Sequence, residues 1–217
     1  MYWKDGAMAD IVLFHSVLGP RAGVTDAADR LRAAGHTVHM PDLYRAEARF
    51  DAYDPAMAYQ DSIGYRELLR RAADDVAHLP SRLVYMGFSA GGAPAEWLAA
   101  TRPGAQACLL LHAALPLHVM GLETWPATVP VQVHFMRDDP FRDQAEIDGM
   151  AADVRAAGAP FELFEYAGTG HLFTDPSLPA EYDSVATETL WSRVLALLGG
   201  LGGSARAPSS NSAPSTK

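Results

Sequence analysis

The chain has 217 residues, 49% of them hydrophobic and 20% charged, which are the proportions of a globular protein rather than of a disordered or membrane-embedded one. That length holds one sizeable core. A formal net charge of −9, with 26 acids against 17 bases and no basic run, excludes partners held by phosphate neutralisation, so no nucleic acid is expected.

Short apolar runs alternate with longer amphipathic stretches along the chain, the pattern of strands joined by crossover helices. The expected strands are Asp10–His15, Thr37–Met40, Arg82–Gly87, Gln106–His112, Val131–Met136 and Phe161–Tyr166. Helices are expected at about 21–34, 57–79, 90–102, 143–157 and 181–198, the first ending at Gly35, which can take the left-handed capping conformation. The fold class is therefore α/β, a mostly parallel central sheet flanked by helices on both faces. Residues 1–9 read as a short N-terminal extension, with Met1 and Met8 both open as the start. Residues 10–198 read as a single domain, and 199–217, rich in Gly, Ser and Pro, as a disordered tail. The run Ile11–Phe14 is too brief for a signal peptide or a membrane span, so no membrane association is expected. Cys108 stands alone in the run Ala107–Leu111 and cannot close an internal disulfide, which favours a reducing, cytoplasmic setting.

Chemistry concentrates after the third strand, in Gly87-Phe88-Ser89-Ala90-Gly91-Gly92. This is G-x-S-x-G between a strand and a helix, the context in which a sharp turn lifts a serine hydroxyl clear of the sheet. A serine hydroxyl is a weak nucleophile at neutral pH and needs a base held by a third group. Fifty residues on, the strand Val131–Met136 ends in Asp138-Asp139-Pro140, and a further 32 on, a glycine-bearing loop ends in His171. The order Ser, Asp, His and the placement of each at a strand's carboxyl end make Ser89, His171 and one of Asp138 and Asp139 the catalytic candidates. Oxyanion donors are expected from the amide of Ala90 and from Val17 in the loop after the first strand. Six other histidines, at 36, 39, 78, 112, 118 and 134, show no metal-ligand spacing and are assigned packing or surface roles; no cofactor or metal is expected.

Together with Pro41-Asp42-Leu43-Tyr44 and Tyr166-Ala167-Gly168-Thr169-Gly170-His171-Leu172-Phe173, the elbow resembles the dienelactone hydrolase family over about residues 10–198. The resemblance implies an α/β-hydrolase fold without a large lid and a cofactor-free enzyme that cleaves an ester or lactone through an acyl-enzyme. It also implies Ser89 as nucleophile, Asp139 rather than Asp138 as the acid, His171 as base, and the amides of Val17 and Ala90 as oxyanion donors. The sequence departs from the family's namesake at three places: serine instead of cysteine at 89, Ser16 where the namesake has a glutamate, and Asp175 where it has a substrate-binding arginine. The expected partner is a small-molecule ester or lactone. Leu18, Phe88, Leu115, Trp125, Met136 and Phe173 are candidate pocket residues, Asp175 is expected to bring negative potential to the pocket mouth, and Arg45 or Arg49 is the candidate substitute cation. A thioesterase or acyltransferase on the same three residues, and a non-catalytic binding protein on the same fold, are the alternatives.

Overall fold

The computed structural model describes residues 8–201; the other residues assigned to the N-terminal extension and the tail lie outside the described residues. In chain order the elements are β1 (Asp10–Phe14), α1 (Ala22–Ala33), β2 (Thr37–His39), α2 (Tyr53–Ile63), α3 (Tyr65–Val76), β3 (Val84–Phe88), α4 (Gly92–Thr101), β4 (Ala107–Leu111), β5 (Val131–Met136), α5 (Gln144–Ala156), β6 (Phe161–Tyr166) and α6 (Ser184–Leu201). The six strands form one sheet in the order β2-β1-β3-β4-β5-β6, every pair parallel.

Alternation along the buried strands sends side chains to two separate cores. Val12, Phe14, Cys108, Leu110, Val133 and Phe135 face α3, α4 and α5, which contribute Leu68, Leu98 and Ile147. Ile11, Leu13, Leu109 and Leu111 face α1 and α6, which contribute Leu31, Leu190, Trp191 and Val194. Both faces of the sheet are thus covered, as its near-continuous apolar strands require.

Most boundaries fall within one or two residues of the sequence reading, and two stretches differ by more. The stretch expected as one helix over 57–79 starts at Tyr53 and divides into α2 and α3 at Gly64, whose φ of +86° no helix accommodates. At the other end α6 continues through Gly199 and Gly200 to Leu201, past the expected start of the tail. Leu198 is fully buried and Leu201 packs against the same core, so apolar anchoring on either side outweighs the roughly 1 kcal/mol helix penalty of each glycine. Gly35 ends α1 as expected, with φ +94° and the amides of Gly35 and His36 donating to Arg32 and Leu31.

The sheet order reverses direction between β1 and β3, which places the carboxyl ends of these two strands at a topological switch point, where open α/β sheets bind ligands.

Candidate active site

Ser89 stands at that point. It follows β3 at φ +50°, a left-handed conformation rare for a residue with a Cβ, and begins a short 3-10 turn that leads into α4. The turn closes only because its glycines lack side chains. A Cβ on Gly87 would lie 2.0 Å from the Gly91 carbonyl oxygen, and one on Gly91 would lie 2.4 Å from that of His15. The small residues at 87 and 91 thus permit the strain that holds the serine hydroxyl out, with the amino end of α4 and its partial positive charge behind it.

Two distant loops complete the arrangement. His171 Nε2 lies 2.7 Å from Ser89 Oγ, and His171 Nδ1 lies 2.7 Å from Asp139 Oδ2. A carboxylate only accepts, so Nδ1 donates to it and Nε2 of the neutral ring is left to accept from the serine hydroxyl. Asp139 Oδ1 accepts the amide of Phe141 at 2.8 Å, which fixes the carboxylate plane. The competing Asp138 is exposed, with its amide tied to the Gly168 carbonyl.

Several residues that the sequence reading did not single out hold the histidine. The Phe141 ring lies 4.6 Å from the imidazole and the Tyr53 ring 5.9 Å, centroid to centroid. Tyr53 Oη donates to the Glu181 carboxylate at 2.9 Å, and Glu181 also accepts the amide of Leu172 at 2.6 Å. His112, expected in a packing or surface role, is buried and also lines the cavity, with its ring 5.7 Å from that of His171. Burial pushes its pKa well down, so this ring stays neutral; Nε2 faces Thr174 Oγ1 at 3.4 Å, and its own backbone is left-handed, φ +65°.

In front of Ser89 lies a cavity of about 360 Å³, within the range of small-molecule sites. Leu43, Tyr44, Leu68 and Leu69 line it from the β2–α3 side, Ala93 and Pro94 from α4, Leu115 from the segment after β4, and Phe141, Asp143 and Glu146 from the segment after β5 and the start of α5. His15 joins Ser16 to Leu43, donating from Nδ1 to the Ser16 carbonyl and accepting the Leu43 amide at Nε2. Behind Leu115 the fully buried Glu96 accepts that residue's amide. Burial raises the Glu96 carboxyl well above the usual range.

Of the candidate pocket residues, Leu115 lines the cavity and the others do not; Ala90, expected as an oxyanion donor, also lines it. Trp125 is buried in the core with its indole donating to the Val129 carbonyl, and Phe173 is fully buried edge-on to His112 at 4.8 Å. Leu18, Phe88 and Met136 are likewise packed inward, since strand-end residues that alternate away from the site enter the cores. Val17 is buried beside the cavity, where its carbonyl accepts the Tyr44 hydroxyl at 2.8 Å. Arg45 sits in a left-handed turn and is paired with Asp75 at 2.6 Å on a separate surface groove, so it is not the substitute cation. Asp175 is buried rather than at the mouth, and its carboxylate takes the amides of Gly23 and Ser177 and the Arg21 guanidinium. That pairing, shared with Asp51, offsets part of the negative potential expected of it.

A parallel sheet wrapped on both faces, with a serine on a strained strand-to-helix turn and a histidine and an aspartate reaching it from the ends of later strands, defines the α/β-hydrolase fold. The model of the dienelactone hydrolase family matches residues 2–201, and the chain belongs to that family. It is 23% identical over 218 residues to a putative carboxymethylenebutenolidase of Salmonella typhi, with 92% of this chain and 80% of the relative covered. It is 27% identical over 208 residues to the carboxymethylenebutenolidase of Rhodococcus opacus, with 88% and 80% covered. Among solved structures it superposes on the dienelactone hydrolase-like promiscuous phosphotriesterase P91 from metagenomic libraries, with TM-score 0.75, 24% identity and 91% and 88% of the two chains covered. It also superposes on Thermogutta terrifontis esterase 2 phosphorylated by paraoxon, with TM-score 0.59, 19% identity and 94% and 87% covered. Family membership makes the protein a hydrolase of the ester-cleaving type. Among the described residues, no helix is long and apolar enough to cross a membrane.

Proposed function

We propose that this protein is a serine hydrolase that cleaves a carboxylic ester or lactone through an acyl-enzyme on Ser89. The observation that carries the reading is the unbroken hydrogen-bonded line Ser89–His171–Asp139, 2.7 Å at each step, opening on a cavity of small-molecule size. In the first half-reaction His171 Nε2 takes the Ser89 proton as Oγ attacks the acyl carbonyl. The imidazolium, held by Asp139, then gives that proton to the departing alcohol. Water, deprotonated by the same nitrogen, attacks the acyl-enzyme and releases the acid and Ser89. Ala90, directly behind the nucleophile, and Val17, following the cavity residue Ser16, supply the amides for the oxyanion; the amino end of α4 adds to that field.

No cofactor enters this scheme. A cytoplasmic setting, which the lone thiol of Cys108 suits, belongs to the same reading. An assay over p-nitrophenyl esters, lactones and acyl-thioesters tests it. Ester or lactone turnover is expected to fall by on the order of 10⁶ in kcat in Ser89→Ala, with the fold retained. Turnover that survives this substitution would refute the assignment, and a preference for thioesters would move the substrate class.

A further inference from the structure

The charge map of the cavity narrows the substrate class. None of the residues lining the cavity is a lysine or an arginine. Its full charges are the carboxylates of Asp143 and Glu146 at the start of α5. Three arginines of the neighbouring segments are committed elsewhere, and Arg45 and the exposed Arg49 do not line the cavity. Arg142 pairs with Glu165 at 2.6 Å, Arg21 with Asp51 and Asp175, and Arg71 with Glu67 while also donating to the Leu43 carbonyl. The remaining basic candidates are imidazoles. His15 is engaged at both nitrogens, His112 is held neutral by burial, and His171 serves Ser89.

Resting on the serine-hydrolase reading, we propose that this enzyme takes uncharged esters with an apolar acyl chain and that Asp143 and Glu146 are specificity-determining residues that reject carboxylate-bearing acyl groups. The relatives' name, carboxymethylenebutenolidase, points to a carboxylate-bearing lactone; this cavity lacks the cation that such a group needs. A carboxylate brought in here loses its water and gains no counter-ion, only neutral donors such as Gln60 and Tyr65, and it meets like charge from Asp143 and Glu146. The amino end of α5 does not rescue it, because Asp143 Oδ1 already accepts the amides of Ala145 and Glu146 at 2.8 and 3.3 Å. Burial and the neighbouring Asp143 raise the Glu146 carboxyl above its ordinary value, a sign that this corner already disfavours the charge it holds. An apolar chain, by contrast, meets Leu68, Leu69, Pro94, Leu115 and Phe135 and needs no counter-ion.

The test compares two esters of one shape, 4-nitrophenyl 5-methylhexanoate and the 4-nitrophenyl monoester of glutaric acid, in which a carboxylate replaces the terminal isopropyl group. Wild type is expected to favour the neutral ester in kcat/KM by about 100-fold at low salt, narrowing as salt screens the acids. Glu146→Gln should cut the ratio by about fivefold and Asp143→Asn by less, since the latter's charge is partly offset by the helix amides. Equal rates on the two esters, or a preference for the glutarate, would overturn the inference and leave the serine hydrolase standing. A ratio unmoved in both variants would overturn the role given to the two acids. No turnover of either ester, with Ser89 also inert to an organophosphorus probe, would overturn the inference and the hydrolase reading together.

Discussion

Facing Ser89 the cavity meets two unlike surfaces, the strand ends with α4 on one side and the segment between β2 and α3 on the other. The first is assembled by sterics. Its residues are buried, and its glycines are boxed by backbone, Gly87 against Gly91 and Gly91 against β1. The second has a buried apolar base, Leu43, Tyr44, Leu68 and Leu69, and a polar-tied outer part at α2. α2 buries only Ala56 and is tied down at its start by Tyr53 to Glu181 and by Arg21 to the Phe50 carbonyl and to Asp51. On the proposed reading the difference is a division of labour: the nucleophile sits where a shift of a few tenths of an ångström is not tolerated, while α2, which lends Gln60 to the cavity, sits on polar ties that tolerate change.

The sharpest way to break that comparison is at the two neighbouring acids after β5. Asp139 is buried against His171, whereas Asp138 is exposed one residue away. Asp139→Asn should lower kcat by on the order of 10⁴, because the amide no longer selects the proton-accepting tautomer of the base, and Asp138→Asn by less than about tenfold. The reverse ranking in steady-state kinetics would reassign the acid.

A smaller effect separates the two surfaces through the same substitution. Gly91→Ala pushes a methyl group into the β1 backbone and should cost about 3 kcal/mol or more in denaturant unfolding. Gly64→Ala, between α2 and α3, meets nothing within 4 Å and bears only the backbone strain of φ +86° and ψ +143°, on the order of 2 kcal/mol. Equal losses would show that the β2–α3 side is packed as tightly as the elbow.

The smallest expected effect concerns Glu96, which supports Leu115 from inside α4. Its folded pKa is raised by burial, so the native state holds a proton that the unfolded chain releases more readily. This contribution is present in full below the unfolded carboxyl pKa and is lost as pH rises towards the folded one. Thermal unfolding of wild type minus that of Glu96→Gln, followed against pH, should show the wild type losing ground as pH rises. A difference that is flat with pH would mean that the carboxyl titrates normally.

How much of this was legible in the sequence follows the same division. The parallel sheet, the elbow and the order Ser, Asp, His could be read because strand periodicity and a glycine-lined turn are local properties of the chain. The interior pocket list failed because strand-end residues such as Phe88 and Met136 alternate between cavity and core, and the sequence gives the alternation without its phase. Asp175 and Arg45 failed for another reason: each found a counter-ion far along the chain, Arg21 and Asp75. Tyr53 and Glu181 meet across 128 residues, a pairing that no periodicity announces. Phe141 had a signal, lying two residues after Asp139, where a backbone amide can turn back on the carboxylate.

The central claim is that Ser89 is an activated nucleophile in an open site, and intact mass spectrometry after treatment with a fluorophosphonate tests it most directly. One adduct is expected on wild type, mapping to Ser89 in the peptide digest, and none on Ser89→Ala. Folded wild-type protein that stays unmodified, or an adduct that persists in Ser89→Ala, would contradict the account.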